Sequence, residues 1–230
     1  MSAIAHNLQT VRRALEHAAA TAHRSAQSVT LLAVSKTFPA ATVREAYQAG
    51  QTTFGENYVQ EALLKMESLR DLPLEWHFIG PIQSNKTRAI AEHFSWAHSV
   101  EKFSVAERLS TQRGMTLPPL NVCIQVNVSN EASKSGVAPE ETETLARAIA
   151  ALPGVKLRGL MAIPAPAATL AAQRQPFARL HELLTQLNAR GLELDTLSMG
   201  MSQDMEAAIL EGATMVRVGT GIFGSRLPPP

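Results

Sequence analysis

Short apolar runs rich in β-branched residues alternate along the chain with longer stretches in which apolar residues return every three or four positions. The first such stretch carries Ile4, Leu8, Val11, Leu15 and Ala18 on one stripe and predicts an amphipathic helix within residues 1–27. VTLLAVS (29–35) reads as a strand and TVREAYQAG (42–50) as a helix closed by glycine. TTF (52–54) is a second strand, followed by a helix over 58–69. EWHFIG (75–80) is a third strand, and SNKTRAIAEHF (84–94) a helix with Ser84 as candidate N-cap. SWAHSV (95–100) and KFSVAERLSTQRG (102–114) repeat the pair. LNVCIQVNV (120–128) is a clear strand, and Pro139 opens a helix whose first turn carries Glu140 and Glu141, where the dipole favours acids. VKLRGLMAI (155–163), QPFARLHELLTQLNARG (175–191), DTLSMG (195–200), DMEAAILEG (204–212) and TMVRVG (214–219) continue the alternation to an eighth strand. Strands alternating with helices over short connections run parallel. Eight such units predict an α/β fold, a (β/α)8 TIM barrel with an extra N-terminal helix. A doubly wound open sheet is the alternative. With no linker or composition break, residues 1–230 read as one domain, helix 1–27 and barrel 28–226.

Composition agrees with a packed enzyme-sized core and removes several classes. The 230 residues are 45% hydrophobic and carry a net charge of +1, which excludes disorder as the main state. The 21 basic and 20 acidic residues leave no general electrostatic case for nucleic acid or a membrane surface. The single cysteine, Cys123, excludes a disulfide framework, and its place in NVCIQV suits a small reduced core residue in the cytosol. No apolar run reaches the roughly 18–20 residues of a membrane span, and the N-terminus lacks the apolar centre of a secretory signal. Arg12, Arg13 and Arg24 against the lone Glu16 lean towards a transit peptide, but the helical stripe explains the segment as a helix packed on the domain. A cytoplasmic location is expected. The seven histidines show no zinc-ligand spacing with Cys123, so no metal is expected; neither G-x-S-x-G nor a P-loop is present.

In a barrel of this type the active site lies at the C-terminal ends of the strands. The first strand runs into Ser35-Lys36, and alternation puts Leu32, Val34 and Lys36 on one face. Lys36 is then either a solvated lysine past a strand or a desolvated amine of lowered pKa able to form an imine with a carbonyl. On the eighth strand Met215, Arg217 and Gly219 share a face, and a cation in so short an apolar strand needs a partner: a structural carboxylate or a ligand. Gly219-Thr220-Gly221-Ile222-Phe223-Gly224 matches G-x-G-x-x-G, but the βαβ unit and acidic residue of a dinucleotide site do not follow. What remains is a backbone able to approach an anion, beside Ser198-Met199-Gly200-Met201-Ser202 after the seventh strand. Loops after strands seven and eight are the usual phosphate site of such barrels. Asn57, at the end of the second strand, is a candidate for the mouth. His77 is either a satisfied core histidine or a pocket residue, and core packing is a sufficient account of Met199 and Met201.

AVSKTFP (33–39), FGENYVQEA (54–62), WHFIGPIQSNK (76–86), VNVSNEASKSG (126–136), LRGLMAI (157–163), LSMGMSQDMEAAI (197–209) and VRVGTGIFGSR (216–226) occur in order along the chain. In these segments the sequence resembles the YggS/PROSC family of pyridoxal phosphate homeostasis proteins. Pro81 departs from the aliphatic residue more common there. The resemblance implies a cytoplasmic barrel similar to the N-terminal domain of alanine racemase, binding pyridoxal 5′-phosphate covalently and having no established catalytic reaction. It implies that Lys36 forms a Schiff base with the cofactor and that Arg217 meets the pyridine nitrogen. Ser202, Gly219 and Thr220 would hold the phosphate, with Ser198, Met199 and Gly200 nearby, and Asn57 and His77 would line the pocket.

Two rival readings stand beside sequestration and delivery of the cofactor to pyridoxal phosphate-dependent apoenzymes. The first is an amino-acid racemase or related enzyme. An always-charged arginine at the pyridine nitrogen weakens the electron sink, though alanine racemase also uses one. Racemisation needs a base on each face of a planar carbanion, and the tyrosine that alanine racemase draws from a second domain has no evident counterpart in Tyr47 or Tyr58. The expectation is that too little chain follows Arg226 to build such a domain, which favours a binding protein. The second rival is a barrel aldolase in which Lys36 attacks a sugar-phosphate carbonyl directly. A monomer is expected, since no large exposed apolar segment stands out.

Overall fold

The computed structural model describes residues 2–129 and 135–225. Its centre is a closed barrel of eight parallel strands in the order β1 to β8, each paired with its chain neighbours and β8 returning to β1. The strands are β1 (Thr30–Val34), β2 (Thr53–Glu56), β3 (Glu75–Phe78), β4 (Trp96–Val100), β5 (Leu120–Gln125), β6 (Val155–Met161), β7 (Thr196–Ser198) and β8 (Met215–Val218). The open-sheet alternative is set aside by the β1–β8 pairing, Leu31 opposite Val216 and Leu32 opposite Arg217. Outside the strands lie α1 (Ala3–Thr21), α2 (Ala40–Gln48), α3 (Val59–Ser68), α4 (Thr87–His93), α5 (Phe103–Gln112), α6 (Pro139–Ala150), α7 (Leu170–Ala189), α8 (Met205–Leu210) and α9 (Thr220–Phe223).

Both faces of each strand are covered, which is why the strands read as continuous apolar runs. Leu31, Ala33, Val216 and Val218 face outwards into the layer between strands and helices. Leu32, Trp96, Cys123, Met161 and Met215 point inwards and close the middle of the barrel. Helix α1 lies across α8, α9 and α2 with Leu8, Val11, Leu15 and Ala18 buried, the stripe its periodicity predicts. The arginines near it cap other helices. Arg12 donates to Ala49 O and Gly50 O past the end of α2, and Arg24 donates to Ile209 O in α8.

Several boundaries differ from expectation for local reasons. Ser84 is not an N-cap: residues Ser84–Lys86 form a 3-10 turn, the Ser84 carbonyl accepts from Thr87 Oγ1, and α4 starts at Thr87. Helix α7 begins at Leu170, with Thr169 Oγ1 accepting from the Ala172 amide as the cap and Pro176 inside the helix. β5 ends at Gln125, after which Val126 forms an isolated bridge with Val137 and donates its amide to Met161 O at 2.8 Å. Residues 130–134 of the segment VNVSNEASKSG, and the barrel's expected last residue, Arg226, lie outside the described residues.

Candidate functional site

A cavity of about 300 Å3 opens at the C-terminal ends of the strands. Val34 and Lys36 line it from β1 and the turn that follows, continuing the inward face begun by Leu32. Arg217 and Gly219 enter from β8 in the same way, above Met215. Asn57 follows β2, Ile79 follows β3, and Ser202 and Asp204 come from the loop after β7. Thr220 opens α9. Ile163, Pro164, Pro166 and Ala167, in the loop after β6, form an apolar wall with Gln173 of α7 behind them.

The turn carrying Lys36 is held by a buried ionic cluster. Lys65, on α3 and only 5% exposed, donates to Ser35 O at 2.7 Å, Glu56 Oε1 at 2.7 Å and Glu61 Oε1 at 2.6 Å, which uses all three ammonium protons. Ser35 Oγ donates to Glu56 Oε1 at 2.6 Å. Glu61 Oε1 also accepts the Thr37 amide at 2.6 Å. Thr37 has φ +69°, left-handed backbone that a β-branched residue adopts only under constraint. The residues on both sides of Lys36 are therefore tied to one cluster. Burial pushes the Glu56 carboxyl up, against the charge of Lys65 and its hydrogen bonds to Lys65 and Ser35.

Arg217 is 4% exposed. Its Nη1 donates to Ser198 O at 2.6 Å and Ser198 Oγ at 2.7 Å, and its Nη2 to Ala162 O at 2.9 Å. Burial pushes its pKa down to about 10, so it stays cationic at neutral pH. The sequence leaves open a carboxylate or a ligand as its partner. These hydrogen bonds go instead to carbonyls and a hydroxyl, and they use three of the five guanidinium N–H groups.

The loop after β7 and the start of α9 meet on the other side. A Cβ built on Gly221 would lie 3.5 Å from Ser202 Oγ. Gly200 has φ +92°, and a Cβ there would come within 2.5 Å of Ala208 Cβ, so the turn that swings Ser202 towards the cavity requires glycine. The expected glycine loop at 219–224 is in part a helical turn: α9 directs its first amides outwards beside Ser202.

Six expected residues thus line the cavity: Lys36, Asn57, Ser202, Arg217, Gly219 and Thr220. Ser198 sits beneath, bonded to Arg217. Met199 and Gly200 shape the β7 exit without lining the cavity, Met199 being fully buried among apolar residues. His77 is not among the cavity-lining residues: it is inside the barrel, stacked on Trp96 with ring centroids 5.3 Å apart. Cys123 is buried, and burial pushes its thiol up to about 12, which leaves it protonated and inert. Sequence reasoning missed Asp204, the Lys65 cluster and His98. His98 could have been found as a second histidine on an apolar strand, one strand along from His77.

No described helix is long and apolar enough to cross a membrane, and no group of three potential metal ligands occurs among the described residues. Residues 1–227 match the family model described as alanine racemase, N-terminal domain. The chain is 64% identical over 226 residues to the pyridoxal phosphate homeostasis protein of Pseudomonas aeruginosa, covering 98% of this chain and 97% of that one. Against the protein of the same name in Escherichia coli K12 it is 52% identical over 229 residues, with 98% of each covered. Among solved structures, PipY of Synechococcus elongatus with PLP bound has 41% identity and a TM-score of 0.85, covering 96% of this chain and all (100%) of that one. Alanine racemase of Corynebacterium glutamicum, at 22% identity and a TM-score of 0.68 over 96% of this chain and 60% of that one, shares the fold.

Proposed function

The chain belongs to the alanine racemase N-terminal domain family and stands within it among the pyridoxal phosphate homeostasis proteins, and on that premise we propose that it binds pyridoxal 5′-phosphate in the mouth of the barrel and keeps it sequestered for delivery. One observation carries this reading: a single cavity gathers Lys36, Arg217, Ser202 and the Gly219–Thr220 turn from three separate strand ends.

The residues fit the group. Its phosphate needs donors at one end of the cavity, which Ser202, Thr220 and the opening amides of α9 supply. Its ring nitrogen needs a donor on the floor, which the remaining N–H groups of Arg217 supply. Asn57 Oδ1, buried at the cavity wall without a hydrogen-bond partner, offers an acceptor to a ring hydroxyl. The bound cofactor supplies an aldehyde with which a lysine amine condenses. In this reading Lys36 anchors that end, and the Lys65 cluster holds the turn on which it stands. The apolar wall of Ile163, Pro164 and Pro166 keeps water from the anchored group.

We read the protein as a binder without a reaction of its own. A racemase needs a base on each face of the carbanion. Tyr47 and Tyr58 are not among the cavity-lining residues, and Asp204, the carboxylate in the described lining, accepts the Met201 amide at 2.5 Å. The same reading makes the barrel and its N-terminal helix one domain, cytoplasmic and monomeric, with pyridoxal phosphate-dependent apoenzymes as the recipients. The test is exchange of the Cα proton of amino acids in deuterated water with the cofactor-loaded protein. Exchange no faster than with free pyridoxal phosphate is expected. Exchange well above that rate, lost in Lys36→Ala, would move the protein to the racemase class.

A further inference from the structure

A line of buried polar groups crosses the barrel from the rim opposite the cavity to the cavity floor. Glu75 begins β3 at the N-terminal end, its side chain 46% exposed, with Oε1 2.8 Å from His77 Nε2. His77 Nδ1 lies 3.0 Å from His98 Nε2. His98 Nδ1 lies 2.8 Å from Ser198 Oγ, which accepts Arg217 Nη1 at 2.7 Å. Both nitrogens of both rings are engaged, and both rings are buried.

With both rings neutral, the carboxylate end sets the direction of every bond. A carboxylate only accepts and a guanidinium only donates. Glu75 therefore takes its bond from His77 Nε2–H. A neutral His77 then has a bare Nδ1, which accepts His98 Nε2–H. A neutral His98 has a bare Nδ1, which accepts the Ser198 hydroxyl proton, and the lone pairs of Ser198 Oγ receive Arg217. Each donor faces Glu75 and each acceptor faces Arg217. A second proton on His77 would break this order. Its Nδ1–H would force His98 to carry its own proton on Nδ1, and the Ser198 hydroxyl proton would lose its acceptor. Desolvation lowers the pKa of both rings, with Arg217 adding to the effect at His98 and Glu75 opposing it at His77. Other charged groups near this line are Arg158, 4.8 Å above the Trp96 ring, its partner Asp195, and Asp204, whose charge acts on Arg217.

We infer that Glu75, His77 and His98 are positioning residues: they lock two neutral Nε2–H imidazoles in series, pin the Ser198 hydroxyl, and so fix which N–H groups Arg217 turns to the cavity ligand. The tautomers stand on this geometry with both buried rings neutral; the effect on pyridoxal phosphate rests on the function proposed above.

The test uses the full chain with 15N-labelled histidine and arginine, free of ligand. Two-bond proton–nitrogen spectra between pH 6 and 8 are expected to show both rings neutral and protonated on Nε2. A cationic ring or an Nδ1–H tautomer for either histidine at pH 7 would overturn the inference. Glu75→Leu removes the terminal acceptor at an exposed position, and Glu75→Gln restores an acceptor without charge. Glu75→Leu is expected to shift the His98 Nδ1 and Arg217 side-chain signals and to weaken pyridoxal phosphate binding about fivefold, the loss of one net hydrogen bond, with Glu75→Gln recovering most of it. Unchanged His98 and Arg217 signals in Glu75→Leu would overturn it. Failure of the wild type to bind pyridoxal phosphate would instead remove the cofactor reading, and the spectra would still decide the chain of bonds.

Discussion

Lys65 illustrates how a residue outside the cavity can govern one inside it. Its ammonium bonds one oxygen of each of two carboxylates and the Ser35 carbonyl, directly behind Lys36. Breaking such a pair by removing one partner leaves an uncompensated buried charge. Lys65→Met is therefore expected to destabilise the protein by about 3–5 kcal/mol in urea denaturation at pH 7.5. A loss under about 1 kcal/mol, the range of surface pairs, would show that the cluster is not what holds the Lys36 turn. Nothing in the local sequence signals this. Glu56 sits on a strand end and Lys65 on a helix, and only the packing of α3 against the first two strand ends makes them partners. Lys36 and Arg217, by contrast, are legible, because strand alternation alone places them on the inward face.

At the scale of elements, periodicity locates all eight strands and the helices that join them, since a strand covered on both faces must be apolar throughout and a covering helix must carry one apolar stripe. The signal fails where another rule competes with periodicity. Pro176 resembles a helix start, because proline is favoured at the first helical position, yet α7 begins six residues earlier at the Thr169 cap. Within the helix, proline cannot donate to the carbonyl four residues back, and its ring crowds that carbonyl. Pro176→Ala is expected to stabilise the protein by about 1–2 kcal/mol, the relief of that defect less the entropy the proline removes from the unfolded chain. A drop in denaturation midpoint would mean that the first turns of α7, which lie against the cavity wall, depend on the proline. Helix α9 escapes sequence reading because Gly221 within it and Gly219 and Gly224 at its ends argue for a loop. Its single turn is specified by its place after β8, not by propensity.

For the whole molecule, the barrel is a scaffold with an apolar plug and one polar line through it, and that line gives the fold a pH dependence. Burial lowers the pKa of His77, and lowers that of His98 well below the ordinary value of 6.5. In the unfolded chain both titrate near the ordinary value, so below it the unfolded state binds more protons than the folded state. Their contribution is fully present above about pH 6.5 and is lost as pH falls from there towards the depressed folded values. Urea denaturation between pH 7.5 and 5.5 is expected to show stability declining below about 6.5, by at most about 1.4 kcal/mol per histidine per pH unit. A flat profile across that window would show that the two rings are not held neutral. His77 itself shows the limit of reading a site from one sequence. Its strand and its inward face are evident, but not its depth, because residues on one inward face can reach the cavity or lie in the plug below it.

The proposed function turns on Lys36 anchoring pyridoxal phosphate in the mouth of the barrel. Reduction of the cofactor-loaded protein with borohydride, followed by digestion and mass mapping of every lysine, probes that bond itself. One reduced pyridoxyl group is expected, on the peptide containing Lys36, and it should be lost in Lys36→Ala. A protein that carries no such group, or carries it on another lysine with Lys36 unmodified, would contradict the assignment.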